Sequence, residues 1–175
     1  MRNSLAVALL LVAVSAYAQG GGPALPDRHP APRLQWQRVA GDDFSVSMPG
    51  HANFKTQELT AKNGHRVQFS SYTVDLGRSA YMASYSDYDQ QTAISLDGAI
   101  DGVVSSWEKP HVISRRTMTL YGCPGQVVDL TSGDYRVLVR AFKIGKRLYQ
   151  LGFVEKRDEY LPAHPAAFFS SFRLR

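Results

Sequence analysis

Between Phe44 and Glu155 the apolar residues of this chain mark out a series of candidate strands and switch once, near the middle, to a period near 3.6. That single switch limits the fold to a strand-rich body carrying one substantial amphipathic helix. Phe44-Ser45-Val46-Ser47-Met48 alternates without error and reads as a half-buried strand ended by Pro49-Gly50. Further strands are expected at Phe54–Leu59, His65–Val74 and the tyrosine-rich Ser79–Asp87. Asn63-Gly64 between two of them is a dipeptide that a type I′ hairpin turn favours, because both residues tolerate positive φ. Then Leu96, Ile100, Val103, Val104 and Trp107 form one helical stripe, with Asp97, Asp101, Ser105 and Glu108 opposite. Ser95 is the expected N-cap and Lys109-Pro110 the stop. Gly98 and Gly102 each weaken such a helix by about 1 kcal/mol relative to Ala, so packing of the stripe must compensate.

Strand patterns return at Val112–Tyr121, Gln126–Thr131, Tyr135–Ile144 and Arg147–Glu155. Gly145-Lys146 suits a two-residue type II′ hairpin, and Ser132-Gly133-Asp134 reads as a tight turn. Phe168, Phe169 and Phe172 follow Pro165 at a spacing that makes a short helix packing back on the sheet. Strands, helix, strands, helix is the order of an α+β domain. The expected architecture is a single antiparallel β-sheet covered by a central amphipathic helix and a short C-terminal helix.

The ends carry different signals. Residues 1–18 read as a secretory signal peptide: Arg2, an apolar run of ten from Leu5 to Val14, and Ala16-Tyr17-Ala18 as the cleavage site. Ten apolar residues fall short of the roughly 20 that span a bilayer as a helix. No Cys sits near the cleavage site to take a lipid. The reading is an exported protein, periplasmic or extracellular in a bacterium, with no stable membrane span after cleavage. Residues 19–33 hold three Gly and four Pro and no apolar period, the composition of an extended linker. Residues 34–175 remain as one α+β domain, a length that suits a single core. The one cysteine, Cys123, excludes an internal disulfide framework and a Cys-based zinc site.

A Trp (Trp36) ahead of Asp-Phe-Ser-Val-Ser-Met-Pro-Gly (Asp43 to Gly50), a central helix, a Gly-x-Pro-Gly turn (Gly122 to Gly125), a late hairpin and a terminal Phe-x-x-Ser-Phe (Phe168 to Phe172) stand in this order. The layout resembles secreted bacterial proteins of the PsbP/Mog1-like fold, over most of Trp36 to Arg175. The resemblance implies an antiparallel sheet layered with helices. It implies no common enzymatic activity, since the group spans photosystem accessory subunits, a GTPase-binding transport factor and many exported proteins. Fold alone transfers no function among them.

The chemistry-bearing residues give little catalytic signal. No Gly-x-Ser-x-Gly elbow, P-loop or dinucleotide fingerprint is present. Cys123 reads as a small residue in a turn, without an evident group to lower its pKa. His29, His51, His65, His111 and His164 show no metal-ligand spacing, although His51 and His65 could meet on adjacent strands. Asp87-Tyr88-Asp89 offers hard oxygen ligands but lacks a calcium loop, and Asp97 with Asp101 reads as a solvated helix face. The expectation is no catalytic residue, no cofactor and no metal.

Basic and tyrosine residues are more suggestive. Arg115, Arg116, Arg136, Arg140, Lys143, Lys146, Arg147, Lys156 and Arg157 crowd the C-terminal half. Arg136 and Arg140 share a strand face. Tyr72, Tyr81, Tyr85 and Tyr88 lie on two neighbouring strands, and Tyr buries area at little entropic cost while keeping a polar tip. Together they form the candidate partner face: Tyr72, Tyr81, Tyr85, Tyr88, Arg136 and Arg140. The formal net charge of +5, less Arg2, is modest for a dedicated polyanion binder. Export makes nucleic acid a poor partner and favours a protein or an anionic surface. The leading reading is an exported non-enzymatic binding or accessory domain. The alternatives are a secreted hydrolase whose site joins His51, His65 or His111 to a distant carboxylate, and a structural subunit of an envelope complex.

Overall fold

Tyr81 and Tyr85 stand among mostly small residues along Ser79–Asp87, and the strand is buried on both faces from Ser79 to Ser86. A strand covered on both sides needs a layer above it and a layer below it. The computed structural model describes residues 35–60, 66–88, 95–157 and 165–175. The signal segment 1–18, the linker 19–33 and the Asn63-Gly64 turn lie outside the described residues.

The strands are β1 (Trp36–Ala40), β2 (Phe44–Pro49), β3 (Asn53–Thr60), β4 (Arg66–Asp75), β5 (Ser79–Asp87), β6 (His111–Leu120), β7 (Cys123–Ser132), β8 (Tyr135–Ile144), β9 (Arg147–Lys156) and β10 (Arg173–Leu174). The helices are α1 (Leu96–Ser105) and α2 (Pro165–Ser171). Seven strands form one antiparallel sheet in the order β3-β4-β5-β9-β8-β7-β6, and three form a second in the order β1-β2-β10.

This corrects the expected architecture. Among the described residues the molecule is mostly β with two sheets and two short helices, not an α+β domain with a single sheet under a central helix. Helix α1 packs chiefly on β7 and β8, on one face of the large sheet. The opposite face is roofed by the small sheet, through β2 on β5, and α2 packs on β2 in turn. The reason is visible in β2. Phe44, Val46 and Met48 point into the space between the sheets and are at most 1% exposed, while β1 and β10 supply the backbone partners on either side.

Two cores result. On the α1 side, Ile100 and Val103 meet Val128, Leu130, Val137 and Val139. Gly98 and Gly102 are buried on the sheet-facing side of the helix, so their propensity penalty is offset by close packing. Ser95 caps the helix as expected, its side chain accepting a hydrogen bond from the Gly98 N–H at 3.0 Å. Between the sheets the core is aromatic. The Phe44 ring centroid lies 5.6–6.0 Å from those of Phe172, Tyr72, Tyr85 and Tyr149.

The hairpin at Gly145-Lys146 joins Ile144 to Arg147 directly, with positive φ at Gly145 alone, as a type II′ turn requires. The Gly122–Gly125 turn falls elsewhere. Tyr121 and Gly122, both at positive φ, make the two-residue turn between Leu120 and Cys123, and Cys123 opens β7. Gly125 is needed within that strand: a Cβ there would lie 2.5 Å from the Phe142 ring and 2.8 Å from the Ala141 carbonyl oxygen.

Candidate functional site

Register decides which of the candidate residues reach the surface. Tyr81 and Tyr85 project from β5 into the space between the sheets and are 1% and 6% exposed. Tyr72 is half-buried in the same aromatic core, its ring centroid 4.6 Å from that of Phe54. Tyr88 is buried on the opposite side, in the α1 core. The tyrosines therefore hold the layers together. Tyr81, Tyr85 and Tyr88 are too buried to offer a partner surface, and Tyr72 is only partly exposed.

Burial also sets a pH dependence. Desolvation raises the Tyr88 phenol from 10.0 to about 12. The folded state needs it neutral, so its contribution to stability is whole below pH 10 and is lost as pH rises towards about 12. Tyr88→Phe is expected to move the alkaline unfolding midpoint, followed by circular dichroism, to higher pH. An unchanged midpoint would contradict the buried placement.

Most of the basic cluster is already paired. Arg115 reaches from β6 to α1 and holds Asp97 at 2.8 Å and Asp101 at 2.6 Å. The Gln126 amide, foremost, and Arg115 hold the Asp97 carboxyl below the usual carboxylate range. The like-charged helix face is thus a clasp between helix and sheet. Arg136 binds Asp129 through two hydrogen bonds of 3.2 and 2.8 Å and lies 3.8 Å from Glu155. Arg157 donates to the Gly133 carbonyl. Arg147 bonds Asp87 at 2.6 and 2.8 Å, lies 2.9 Å from Asp43, and stacks over the Tyr85 ring at 4.2 Å. Tyr149 donates its phenolic hydrogen bond to Asp43. Burial, then this bond and the Asp43 charge, raise the Tyr149 phenol above its ordinary value. This group ties the β1–β2 loop to the large sheet and has no uncommitted cation.

Arg116 and Arg140 differ from these. Arg116 is opposite Val127 on β7, and Val127 is opposite Arg140 on β8. Directly opposed residues project to the same side of a sheet, so both arginines stand on one face, two strand spacings or about 9.6 Å apart at the backbone. Val127 between them is 3% exposed, as expected where arginine stems lie over it. Arg140 is half-buried with its guanidinium 4.4 Å above the centroid of Phe169 on α2. Its Nε is buried without a hydrogen-bond partner. Burial, then the Arg116 charge, lower its pKa. No hydrogen bond or ion pair joins either arginine to a carboxylate among the described residues. Like charges held together without a counter-ion make a site for an anion. Sequence alone flagged Arg136 with Arg140. The geometry replaces Arg136, which Asp129 neutralises, with Arg116 from a strand two places away.

The remaining candidates stay apart. His51 lies beside β3 and His111 on β6, at opposite edges of the large sheet, and both are exposed. His29, His65, His164 and Asp89 lie outside the described residues. Cys123 is free and half-buried. Among the described residues no three His, Cys, Asp or Glu side chains converge as metal ligands, and no helix is long and apolar enough to cross a membrane.

No family model and no curated protein matches the sequence. Solved structures do match. Cyanobacterial PsbP (CyanoP) from Synechocystis superposes with a TM-score of 0.53 at 10% identity, over 86% of this chain and 99% of that one. A protein of unknown function, PA94 from Pseudomonas aeruginosa, matches with a TM-score of 0.41 at 10% identity, over 77% and 92%. The first match bears out the PsbP part of the resemblance read from the sequence, whereas the Mog1 part is not shown. At such low identity it speaks for architecture and not for activity. The two-layered β architecture of this chain is a PsbP-like fold.

Proposed function

We propose that the chain is an exported, non-enzymatic accessory domain that docks an anionic partner on the face formed by β6, β7 and β8 beside α2. The observation that carries the reading is the Arg116–Val127–Arg140 row, two cations on one face with no carboxylate partner among the described residues. A protein does not half-bury an arginine without an acceptor unless something else gains from it. Export rests on the N-terminal signal pattern of residues 1–18. The non-enzymatic part rests on the separation of His51 from His111 and on the commitment of Asp43, Asp87 and Arg147 to one another.

The test is capture of partners from an envelope extract by wild type and by Arg116→Ala/Arg140→Ala. The double variant is expected to lose binding by at least tenfold, because each charge-assisted contact is worth about 1.5–3 kcal/mol. A charge-matched Arg38→Ala/Arg66→Ala control should bind as wild type does. Equal capture by all three proteins would remove the proposed face.

A further inference from the structure

Edge strand β6 carries an unusual combination. All ten of its residues are exposed except Met118 and Leu120, which are half-buried. Among the described residues four large apolar side chains are markedly exposed, and three belong to this edge: Val112 at 41%, Ile113 at 53% and Tyr121 at 57%. They bracket Arg116 along the strand, and β6 contains no acidic residue. The register shift between Val112 and Ser114 is a bulge that interrupts the outer edge. It makes plain strand addition by a second chain a poor use of this edge. Cations set between exposed aliphatic and tyrosine side chains suit an interface between water and lipid, where the charge meets phosphate and the apolar groups enter the headgroup boundary.

Resting on the anion-docking reading above, we infer that the partner is a lipid surface rich in phosphate headgroups, met edge-on by β6. Arg116 and Arg140 bind headgroup phosphate, and Ile113 and Tyr121 enter the interface. A guanidinium presents a planar fork that fits phosphate oxygens, and two forks on one face match an array of such groups. A membrane surface supplies many such phosphates at once.

The experiment is flotation of the exported protein with vesicles of phosphatidylcholine alone, or of phosphatidylcholine mixed with phosphatidylglycerol, at low and high salt. Wild type should float with the anionic vesicles only, and high salt should release it. Arg116→Ala/Arg140→Ala should weaken partition about thirtyfold, at roughly fivefold for each charge near an anionic surface. Ile113→Ser/Tyr121→Ser should weaken it at low salt although no charge is removed, and Arg38→Ala/Arg66→Ala should weaken it least. Equal binding to neutral vesicles, or an equal loss in the charge-matched control, overturns the inference. If vesicles fail to bind while the arginine double variant still loses its catch from the envelope extract, the lipid assignment falls and the docking face stands. If neither assay distinguishes that variant, both fall.

Discussion

Phe44→Ala is expected to lower stability by about 4 kcal/mol, read as a lower denaturant midpoint with an unchanged slope. Phe44 is 1% exposed, and its ring meets four others: Tyr72, Tyr85, Tyr149 and Phe172. Truncation loses the transfer energy of a phenyl ring and leaves a cavity that neighbours on three elements cannot close together, because each is fixed by its own strand ladder. It also loses edge-to-face contacts of about 0.5–1.5 kcal/mol each. Against a total of roughly 5–15 kcal/mol for a single domain, this approaches unfolding. Phe54→Ala is the comparison. Phe54 is 52% exposed and touches one ring, so its loss should stay below about 1 kcal/mol. If the two variants lose the same small amount, the three-stranded sheet does not dock as described.

The second large effect belongs to Arg147. Burial opposes its charge, but the hydrogen bonds to Asp87 and the fields of Asp87 and Asp43 outweigh this and hold the guanidinium above its usual pKa. Arg147→Ala leaves both carboxylates without their cation and uncovers the Tyr85 ring. Breaking a fully buried pair costs about 3–5 kcal/mol. The Asp43 and Asp87 side chains are 45% and 39% exposed, and water would screen them, so about 2–3 kcal/mol is expected. Arg147→Lys keeps a positive charge but loses the planar fork and the stacking, and should recover about half of that. Recovery in full by lysine would mean that charge alone matters and that the forked geometry contributes nothing. Urea melts of the three proteins decide the point.

These expectations depend on structure that was only partly legible in the sequence. The strands from β2 to β9 could be read because alternation is a local signal, and Ser95 could be read as a cap because its partner is three residues away. The second sheet could not. β10 has two residues, β1 has no clean alternation, and their shared partner β2 is far from β10 in the chain. Without that layer, Tyr81 and Tyr85 read as a free face when they are the floor of a core. The same limit applied to the arginines. Same-face spacing of Arg136 and Arg140 follows from position alone, but their fates depend on which β7 residues stand opposite or diagonal to them. Asp129 takes Arg136, and Val127 leaves Arg140 beside Arg116. Cross-strand register of this kind is set by the whole sheet.

The most direct measurement is the rate at which phenylglyoxal modifies each arginine, read by mass spectrometry with and without an envelope fraction. Arg116 and Arg140 should become protected when the fraction is present, while Arg66, paired with Glu58 and 78% exposed, should react at its original rate. Unchanged modification of Arg116 and Arg140 alongside bound envelope material would show that the protein works through some other surface.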